Sequence, residues 1–216
     1  LTWGWNDEKK EKIIPFGIIK NIPKIKYKKK NNKILLILRS QPRYTHRISS
    51  MTGSFQLHKY FIDCIDFCKK LNKSIQLKDL IVRLHARRFW DEGLFFKNEF
   101  PKIEIDEGYK SIYELIANSR LVVYSYIATG YLETLSANFP TIVFSNLKDF
   151  MLTQETQDDL KILYDVKIFH PNYESAAKFI NENYQNIDDW WKNGNTQKAI
   201  RFFCNKYAKK NNSKIE

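Results

Sequence analysis

Short apolar runs alternate along this chain of 216 residues with longer segments in which apolar residues recur every three or four positions. Short branched runs are typical of strands buried on both faces, and the longer spacing is typical of amphipathic helices. The short runs predict six strands, at residues 34–38, 80–84, 102–105, 121–124, 141–144 and 166–169. The periodic segments predict helices at 54–71, 111–118, 130–139, 153–164, 173–184 and 196–209, with a short helical or irregular piece at 90–96.

The alternation of strands and helices predicts the fold class. It indicates parallel βαβ units in an α/β, Rossmann-like open parallel sheet with helices on both faces. In such sheets ligands collect at the carboxyl ends of the strands, where the strand order reverses. This rule directs attention to the segments that follow strands, at 39–47, 83–88, 106–109, 125–133 and 145–148.

Two parts of the chain differ in character. Residues 1–33 contain Trp3, Trp5, two prolines and a Lys/Asn run, and we interpret them as a lead-in and interdomain linker. Residues 34–216 are predicted to form one domain. Because the sequence begins with Leu1 and reaches a Trp-rich segment at once, we expect it to be part of a longer protein.

The net charge of +12 invites a nucleic-acid interpretation, because clustered lysines neutralise phosphates. The excess is concentrated in two places, however: residues 24–33 carry six lysines and residues 206–216 carry four. We therefore expect no nucleic-acid partner. Peripheral contact of the lysine runs with an anionic membrane surface and a solvated linker with a basic tail are both left open.

The sequence also bears on the compartment. No stretch approaches the roughly 20 apolar residues that span a bilayer, and the start lacks the layout of a signal peptide. The cysteines are Cys64, Cys68 and Cys204, an odd and sparse set that favours a reducing environment over a disulfide scaffold. We expect a cytoplasmic protein, with contact at the inner face of the cytoplasmic membrane left open.

The segment after the predicted strand 121–124 has the composition of an anion-binding turn. It holds the small or hydroxyl-bearing residues Ser125, Thr129 and Gly130, and a helix begins there. The backbone N–H groups and the dipole at a helix start favour phosphate. Glu133 falls off the apolar face of that helix. It could accept hydrogen bonds from ribose hydroxyls or simply complement the dipole, and the pattern leaves both open.

A basic cluster follows the first predicted strand, with Arg39, Arg43, His46 and Arg47 within nine residues. Guanidinium groups bind phosphate bidentately and can stabilise a departing nucleotide without a metal. The cluster could clamp a diphosphate or an acidic sugar, or it could be a solvated basic loop. Arg39 and Arg43 are the leading candidates because they lie nearest the strand.

Arg83 interrupts the apolar run 80–84, where a charge is costly unless it is paired. Its partner could be a ligand phosphate or a carboxylate, Asp106 or Asp91. His85 follows in the same segment. An unperturbed histidine titrates near neutrality, so His85 and His46 are weak candidates for a catalytic base, and hydrogen bonding within a loop is the alternative for each.

The sequence carries no metal signature. The histidines are far apart, and no Cys/His spacing suits zinc. A Walker loop, a nucleophile elbow and a dinucleotide fingerprint are also missing from the sequence. We therefore expect neither a metal nor another cofactor.

Several pieces of the sequence together resemble a known family. The run "ATGYLETLSANFPTIVF" at 128–144 is similar to the motif of a family of bacterial transferases in surface-carbohydrate biosynthesis, enzymes similar to the glycosyltransferase-B group. Further pieces match in order: "WGW" (3–5), "QPRYTHRISS" (41–50), "VRLH" (82–85), "IEIDEG" (103–108), "SRLVV" (119–123), "WW" (190–191) and "QKAIRFFCNKYA" (197–208). The resemblance spans nearly the whole chain, and it covers the carboxy-terminal part of the longer family proteins.

The resemblance implies one half of a glycosyltransferase-B fold. In that group this half binds the nucleotide-sugar, so residues 34–216 are expected to be the nucleotide-sugar-binding domain. Thr129, Gly130 and Glu133 are implied to bind the donor, with the glutamate on the ribose. With the arguments from composition, the expected donor site comprises Arg39, Arg43, Arg83, Ser125, Thr129, Gly130, Tyr131 and Glu133.

The implied function is metal-independent transfer of a sugar from a nucleotide-sugar donor to a bacterial surface glycan. The acceptor is a glycan or a lipid-linked molecule, and the amino-terminal domain of the same protein is the expected partner, without which the chain is inactive. Transfer of a phosphopolyol from a CDP-linked donor is one alternative. A non-catalytic basic module that binds anionic lipid or nucleic acid is another.

Overall fold

The computed structural model describes residues 1–7, 9–20, 22–23, 25, 32–42, 54–86, 90–147 and 152–210. Within these ranges, six parallel strands form one sheet in the order β3-β2-β1-β4-β5-β6. The strands are β1 (Ile34–Ile37), β2 (Leu80–Arg83), β3 (Glu104–Asp106), β4 (Leu121–Tyr124), β5 (Thr141–Phe144) and β6 (Phe169–His170). This is the Rossmann strand order, so the predicted fold class is confirmed.

Helices connect the strands and continue past the last one. They are α1 (Ser54–Lys70), α2 (Lys73–Lys78), α3 (Glu92–Glu99), α4 (Ile112–Ala117), α5 (Thr129–Ser136), α6 (Gln154–Asp165), α7 (Tyr173–Asn183), α8 (Ile187–Lys192) and α9 (Gly194–Tyr207). Side-chain caps fix three starts, and at α9 the Asn193 side chain accepts from the Asn195 amide. The Thr153 hydroxyl accepts from the Thr156 amide before α6, and the Asn172 side chain accepts from the Ser175 amide before α7.

The four central strands, β1, β2, β4 and β5, send alternate side chains into two separate cores. Leu36 and Val123 belong to the core beneath α1 and α7, whereas Leu35 and Val122 belong to the core beneath α5, α6 and α9. Because side chains alternate across a strand, this division places helices on both faces of the sheet. It also explains why these four strands are largely apolar rather than alternating.

The predicted elements differ from the observed ones mainly in their ends. The last strand was expected at 166–169 and lies at Phe169–His170, because Lys167 has a φ of 63° and turns the chain after α6. The helix predicted at 130–139 ends at Ser136, and Asn138 then has a φ of 55°. α2 and α8 were not predicted.

The described part of the lead-in packs against the end of the chain. The Lys209 amide donates to the Trp3 carbonyl, and the Ile18 amide donates to the Lys209 carbonyl. Gly4 has a φ of 152° and lies so close to α9 that a Cβ there would collide with the backbone of Asn205. The boundary at residue 33 stays a prediction. None of the helices in the described ranges combines the length and the apolar character needed to cross a bilayer.

Candidate functional site

The strand order of the sheet creates a crevice between β1 and β4. The chain leaves β1 towards β2 and leaves β4 towards β5, so the two connections diverge at the carboxyl edge. In open α/β sheets this divergence is where ligands bind. The first residues after these two strands therefore have the best position for a functional role.

A cleft of about 440 Å³ opens at this edge, between the first turns of α1 and the start of α7. The ends of four strands, β1, β4, β5 and β6, contribute to it. It is lined by Arg39, Gln56, Lys59, Tyr60, Asp63, Ser125, Tyr126, Phe144, Ser145, Asn146, Pro171, Asn172, Tyr173 and Glu174.

A chain of hydrogen bonds builds the floor of the cleft at the crevice. The Arg39 amide donates to the Tyr60 hydroxyl at 2.8 Å, and this hydroxyl lies 2.7 Å from Ser125 Oγ. Ser125 Oγ in turn donates to the Ile37 carbonyl at 2.9 Å. Since the serine proton goes to Ile37, Tyr60 is the donor to Ser125. The bonds run in one direction and tie β1, α1 and β4 together.

The Arg39 side chain is the cation of this crevice. Its guanidinium carbon lies 4.5 Å from the centre of the Tyr60 ring, within the range of a cation–π contact. Its Nε is buried and has no hydrogen-bond partner. Among the described residues, no carboxylate forms a salt bridge with it. A buried donor without an acceptor is costly, which points to an anionic ligand at this position.

The groups around Arg39 are held in their neutral forms. Burial raises the pKa of the Tyr60 hydroxyl well above its usual range, and the contact with Cys64 adds to the effect. Burial also raises the pKa of the Cys64 thiol to about 12. Neither group exchanges protons near neutral pH, so Arg39 dominates the local charge.

The opposite end of the cleft has a different character. Glu174 lies in the first turn of α7, and on α1 Lys59 pairs with Asp63 at 2.7 Å. The pKa of Tyr173 is raised to about 12, first by burial, then by a hydrogen bond with Glu174 and by the nearby carboxylates of Asp66 and Asp63. This end is therefore acidic.

The turn before α5 lies beside the crevice. Thr129 is exposed. The first-turn amides of α5 have no intrahelical acceptor, and Ala128, which precedes the helix, supplies no side-chain cap for them. Gly130 packs on Tyr124, since a Cβ there would come within 2.7 Å of the Tyr124 ring. The close approach that requires this glycine is thus to a side chain of the protein. Tyr131 is buried beside Phe203.

Glu133 is held by the protein itself. Lys20 Nζ lies 3.0 Å from both carboxylate oxygens, and the Tyr113 hydroxyl donates to one of them at 3.1 Å. Burial acts to lower the pKa of Lys20, but the hydrogen bonds with Tyr113 and Glu133 raise it overall. A ribose would have to share this carboxylate with the ammonium group or displace it.

Arg83 is paired with a carboxylate, which is one of the two kinds of partner that the sequence allowed. It forms a salt bridge with Asp106, and its second terminal nitrogen donates to the Gly108 carbonyl at 3.0 Å. His85 lies exposed in the segment after β2. Arg43, His46 and Arg47 lie outside the described residues.

The structure thus brings two of the predicted residues, Arg39 and Ser125, into one cleft. The other described members of the predicted donor site, Arg83, Thr129, Gly130, Tyr131 and Glu133, do not line it. Their donor-binding roles stay predictions. Among the residues described by the structure, no group of three His, Cys, Asp or Glu side chains is placed to hold a metal ion.

Several lining residues were not singled out from the sequence. Tyr60 lies on the apolar face of α1 and has the pattern of a core residue, and Tyr173 and Glu174 belong to a helix start with no distinctive motif. Asn146 was indicated only by its position after a predicted strand. The sequence signal that could have found a residue such as Asn146 is therefore its position directly after a predicted strand.

The model of the LIC12162 family transferase matches residues 1–216. The chain belongs to this transferase family. The resemblance to a family of transferases is thereby confirmed over the whole chain. No curated protein matches the sequence.

One solved structure similar to this transferase is the wall teichoic acid polymerase TagF with CDPG. The identity is 14% and the TM-score is 0.48. The match covers 85% of this chain and 39% of the TagF chain, so the chain spans well under half the length of that protein.

Proposed function

We propose that the chain is the donor-binding, carboxy-terminal half of a glycosyltransferase-B-like enzyme, which transfers a sugar from a nucleotide-sugar to a bacterial surface glycan. It would act in the cytoplasm together with an amino-terminal domain that binds a glycan or lipid-linked acceptor. One observation supports this most strongly: Arg39, whose guanidinium forms no salt bridge with a carboxylate of the described residues, lies where the strand order of a Rossmann-like sheet reverses.

In this proposal Arg39 binds the donor diphosphate. Transfer of the sugar leaves negative charge on the nucleotide, and a fixed guanidinium stabilises that charge best when little water intervenes. The amides at the start of α5, at Thr129 and Gly130, would add donors from the adjacent turn. Arg43 is proposed to join them, and no metal is required.

Three other roles in the site remain part of the proposal. Glu133 would accept hydrogen bonds from the ribose hydroxyls once its salt bridge with Lys20 is broken. Arg83 is a weaker candidate for donor contact because Asp106 already neutralises it. The base that activates the acceptor is expected on the proposed amino-terminal domain. On this chain, the candidates for that base are His85 and His46.

Calorimetric titration of the chain with UDP, GDP, CDP and dTDP tests the proposal. We expect weak binding of at least one of them. Arg39→Ala should weaken it by about 10- to 100-fold, since a hydrogen bond to a charged group contributes about 1.5–3 kcal/mol. The matched control is Arg201→Ala, because Arg201 is exposed on α9 far along the chain. The absence of nucleotide binding, or equal binding by Arg39→Ala, would contradict the proposal.

The ribose assignment has its own test. Glu133→Gln should weaken nucleoside diphosphate binding and leave inorganic pyrophosphate binding unchanged, because only the nucleotide carries hydroxyl donors. Equal binding of the nucleotide by both proteins would remove Glu133 from the site.

The alternatives predict different results. Product analysis on the longer protein separates sugar transfer from transfer of a phosphopolyol. A basic module that acts through the lysine runs would bind anionic vesicles or nucleic acid in a salt-sensitive way. In that case Arg39→Ala would leave the binding of vesicles or nucleic acid unchanged.

A further inference from the structure

The cleft is elongated along the edge of the sheet. Its lining comes from the carboxyl ends of β1, β4, β5 and β6, which are consecutive neighbours in the sheet. Adjacent strands lie about 4.8 Å apart, so the distance from the end of β1 to the end of β6 is roughly 14 Å. This length exceeds what a diphosphate at Arg39 occupies, and the remainder extends towards α7.

The two ends of this length carry opposite charge. Arg39 follows β1, whereas Glu174 follows β6 and forms no salt bridge with any described residue. Asp63 is also at the α7 end, where Lys59 offsets its charge. The polar residues Ser145 and Asn146 lie between the two ends.

The start of α7 is not an anion site. A helix start favours negative charge, but here Glu174 already supplies it from the first turn, and the Asn172 side chain caps the Ser175 amide. An anionic ligand group placed at this end would meet the Glu174 carboxylate at short range. A hydroxyl group would instead find an acceptor.

On the basis of the donor site proposed above, we propose that the α7 end of the cleft holds the transferred sugar of the donor, and that this sugar is an uncharged, polyhydroxylated one. Glu174 accepts hydrogen bonds from its hydroxyls, as carboxylates do more strongly than neutral acceptors. The same carboxylate rejects a sugar that bears an acid group, since like charges brought together cost several kcal/mol. Arg39 binds the phosphate, so it is not available to neutralise an acidic sugar.

Matched donor pairs test the proposal by calorimetry. UDP-glucose is compared with UDP-glucuronate, and GDP-mannose with GDP-mannuronate, within the nucleotide series whose diphosphate binds. Each pair differs only in the replacement of a hydroxymethyl group by a carboxylate. We expect the neutral donor to bind at least about tenfold more tightly than the acidic one.

Glu174→Gln should reduce this ratio to below about threefold, because the amide keeps the size of the side chain and removes its charge. The matched control is Glu182→Gln. Glu182 lies on the same helix, is exposed and pairs with Lys178 at 3.9 Å, so its replacement should leave the ratio unchanged.

The outcomes separate the two proposals. If a nucleoside diphosphate binds through Arg39 but neutral and acidic donors bind equally, the sugar assignment is wrong and the donor site stands. An unchanged ratio in Glu174→Gln has the same meaning. If no nucleoside diphosphate binds, or if Arg39→Ala binds it as tightly as the unmodified chain, the donor-site proposal is wrong. The sugar assignment is then wrong as well.

Discussion

Arg83 and Arg39 stand at the carboxyl ends of neighbouring strands, β2 and β1, and their surroundings differ. Arg83 is closed in by Asp106 and the Gly108 carbonyl. Arg39 lies over an aromatic ring, with its Nε buried and without an acceptor, in a cleft of about 440 Å³. Arg83 is therefore neutralised by a carboxylate at the sheet edge, whereas Arg39 is the residue that we propose binds a ligand.

The difference comes from what the adjacent strand supplies. β3 pairs with β2 and places Asp106 directly beside Arg83. β4 pairs with β1 on the other side and places Tyr124 opposite Ile37, with Ser125 next in sequence. A hydroxyl can fix the backbone near Arg39 but cannot neutralise its charge. The contrast between a structural arginine, Arg83, and one proposed to bind a ligand, Arg39, can be tested by substitution.

The largest effect is expected from Asp106→Ala. Arg83 and Asp106 are 12% and 5% exposed, and removal of one partner leaves a nearly buried charge uncompensated. The free energy of unfolding should fall by about 3–5 kcal/mol. Urea denaturation measures it, and Asp158→Ala, at an exposed position of α6, is the control. A loss below about 1 kcal/mol would show that the pair is not structural.

The double variant Arg83→Met with Asp106→Leu should regain at least about 2 kcal/mol of that loss, because an apolar pair removes both desolvation costs. The measurement is again urea denaturation, beside Asp106→Ala alone. A double variant as unstable as the single one would mean that the polar contacts with Gly108 matter more than the charge balance.

A smaller effect is expected from Tyr60→Phe. The change deletes the hydroxyl that accepts from the Arg39 amide and donates to Ser125, so two bonds are lost. The free energy of unfolding should fall by about 1–2 kcal/mol. Phe61→Leu, on a partly buried neighbour, is the control for ring packing. Retained stability in Tyr60→Phe would show that water replaces the hydroxyl.

The smallest effect on stability is expected from Arg39→Met. Among the described residues, the contact that is lost is the one with the Tyr60 ring, which contributes about 0.5–1 kcal/mol, and the unpartnered Nε is removed as well. Thermal and urea unfolding should therefore change little, in contrast to Asp106→Ala. A loss comparable to that of Asp106→Ala would mean that Arg39, too, is a structural residue.

Much of the fold could be predicted because each strand carries its own signal. A strand buried on both faces is apolar at every position, as β1 and β4 are. The sixth strand was displaced because Val166, which looked like its start, belongs to the turn at the end of α6. α2 and α8 have six residues each, too few for a helical period to stand out, and the equally short α4 was predicted because Ser111 marks its start.

The site was less accessible to prediction, since its contacts join distant parts of the chain. Arg39 could be chosen because it follows a strand. The ion pair of Glu133 could not be predicted, because the cation that binds it, Lys20, is 113 positions away in the sequence. The choice between the two interpretations of Arg83 likewise depended on a residue in another strand, Asp106, 23 positions later.

The Tyr60 hydroxyl has a consequence for motion. It joins the segment after β1 to the segment after β4 through a single atom on α1. Neither segment can swing away from the sheet without breaking a bond that also restrains the other. The backbone at Arg39 and the Ser125 side chain are therefore held in place before any molecule enters, and the entropy of ordering these two positions does not subtract from affinity.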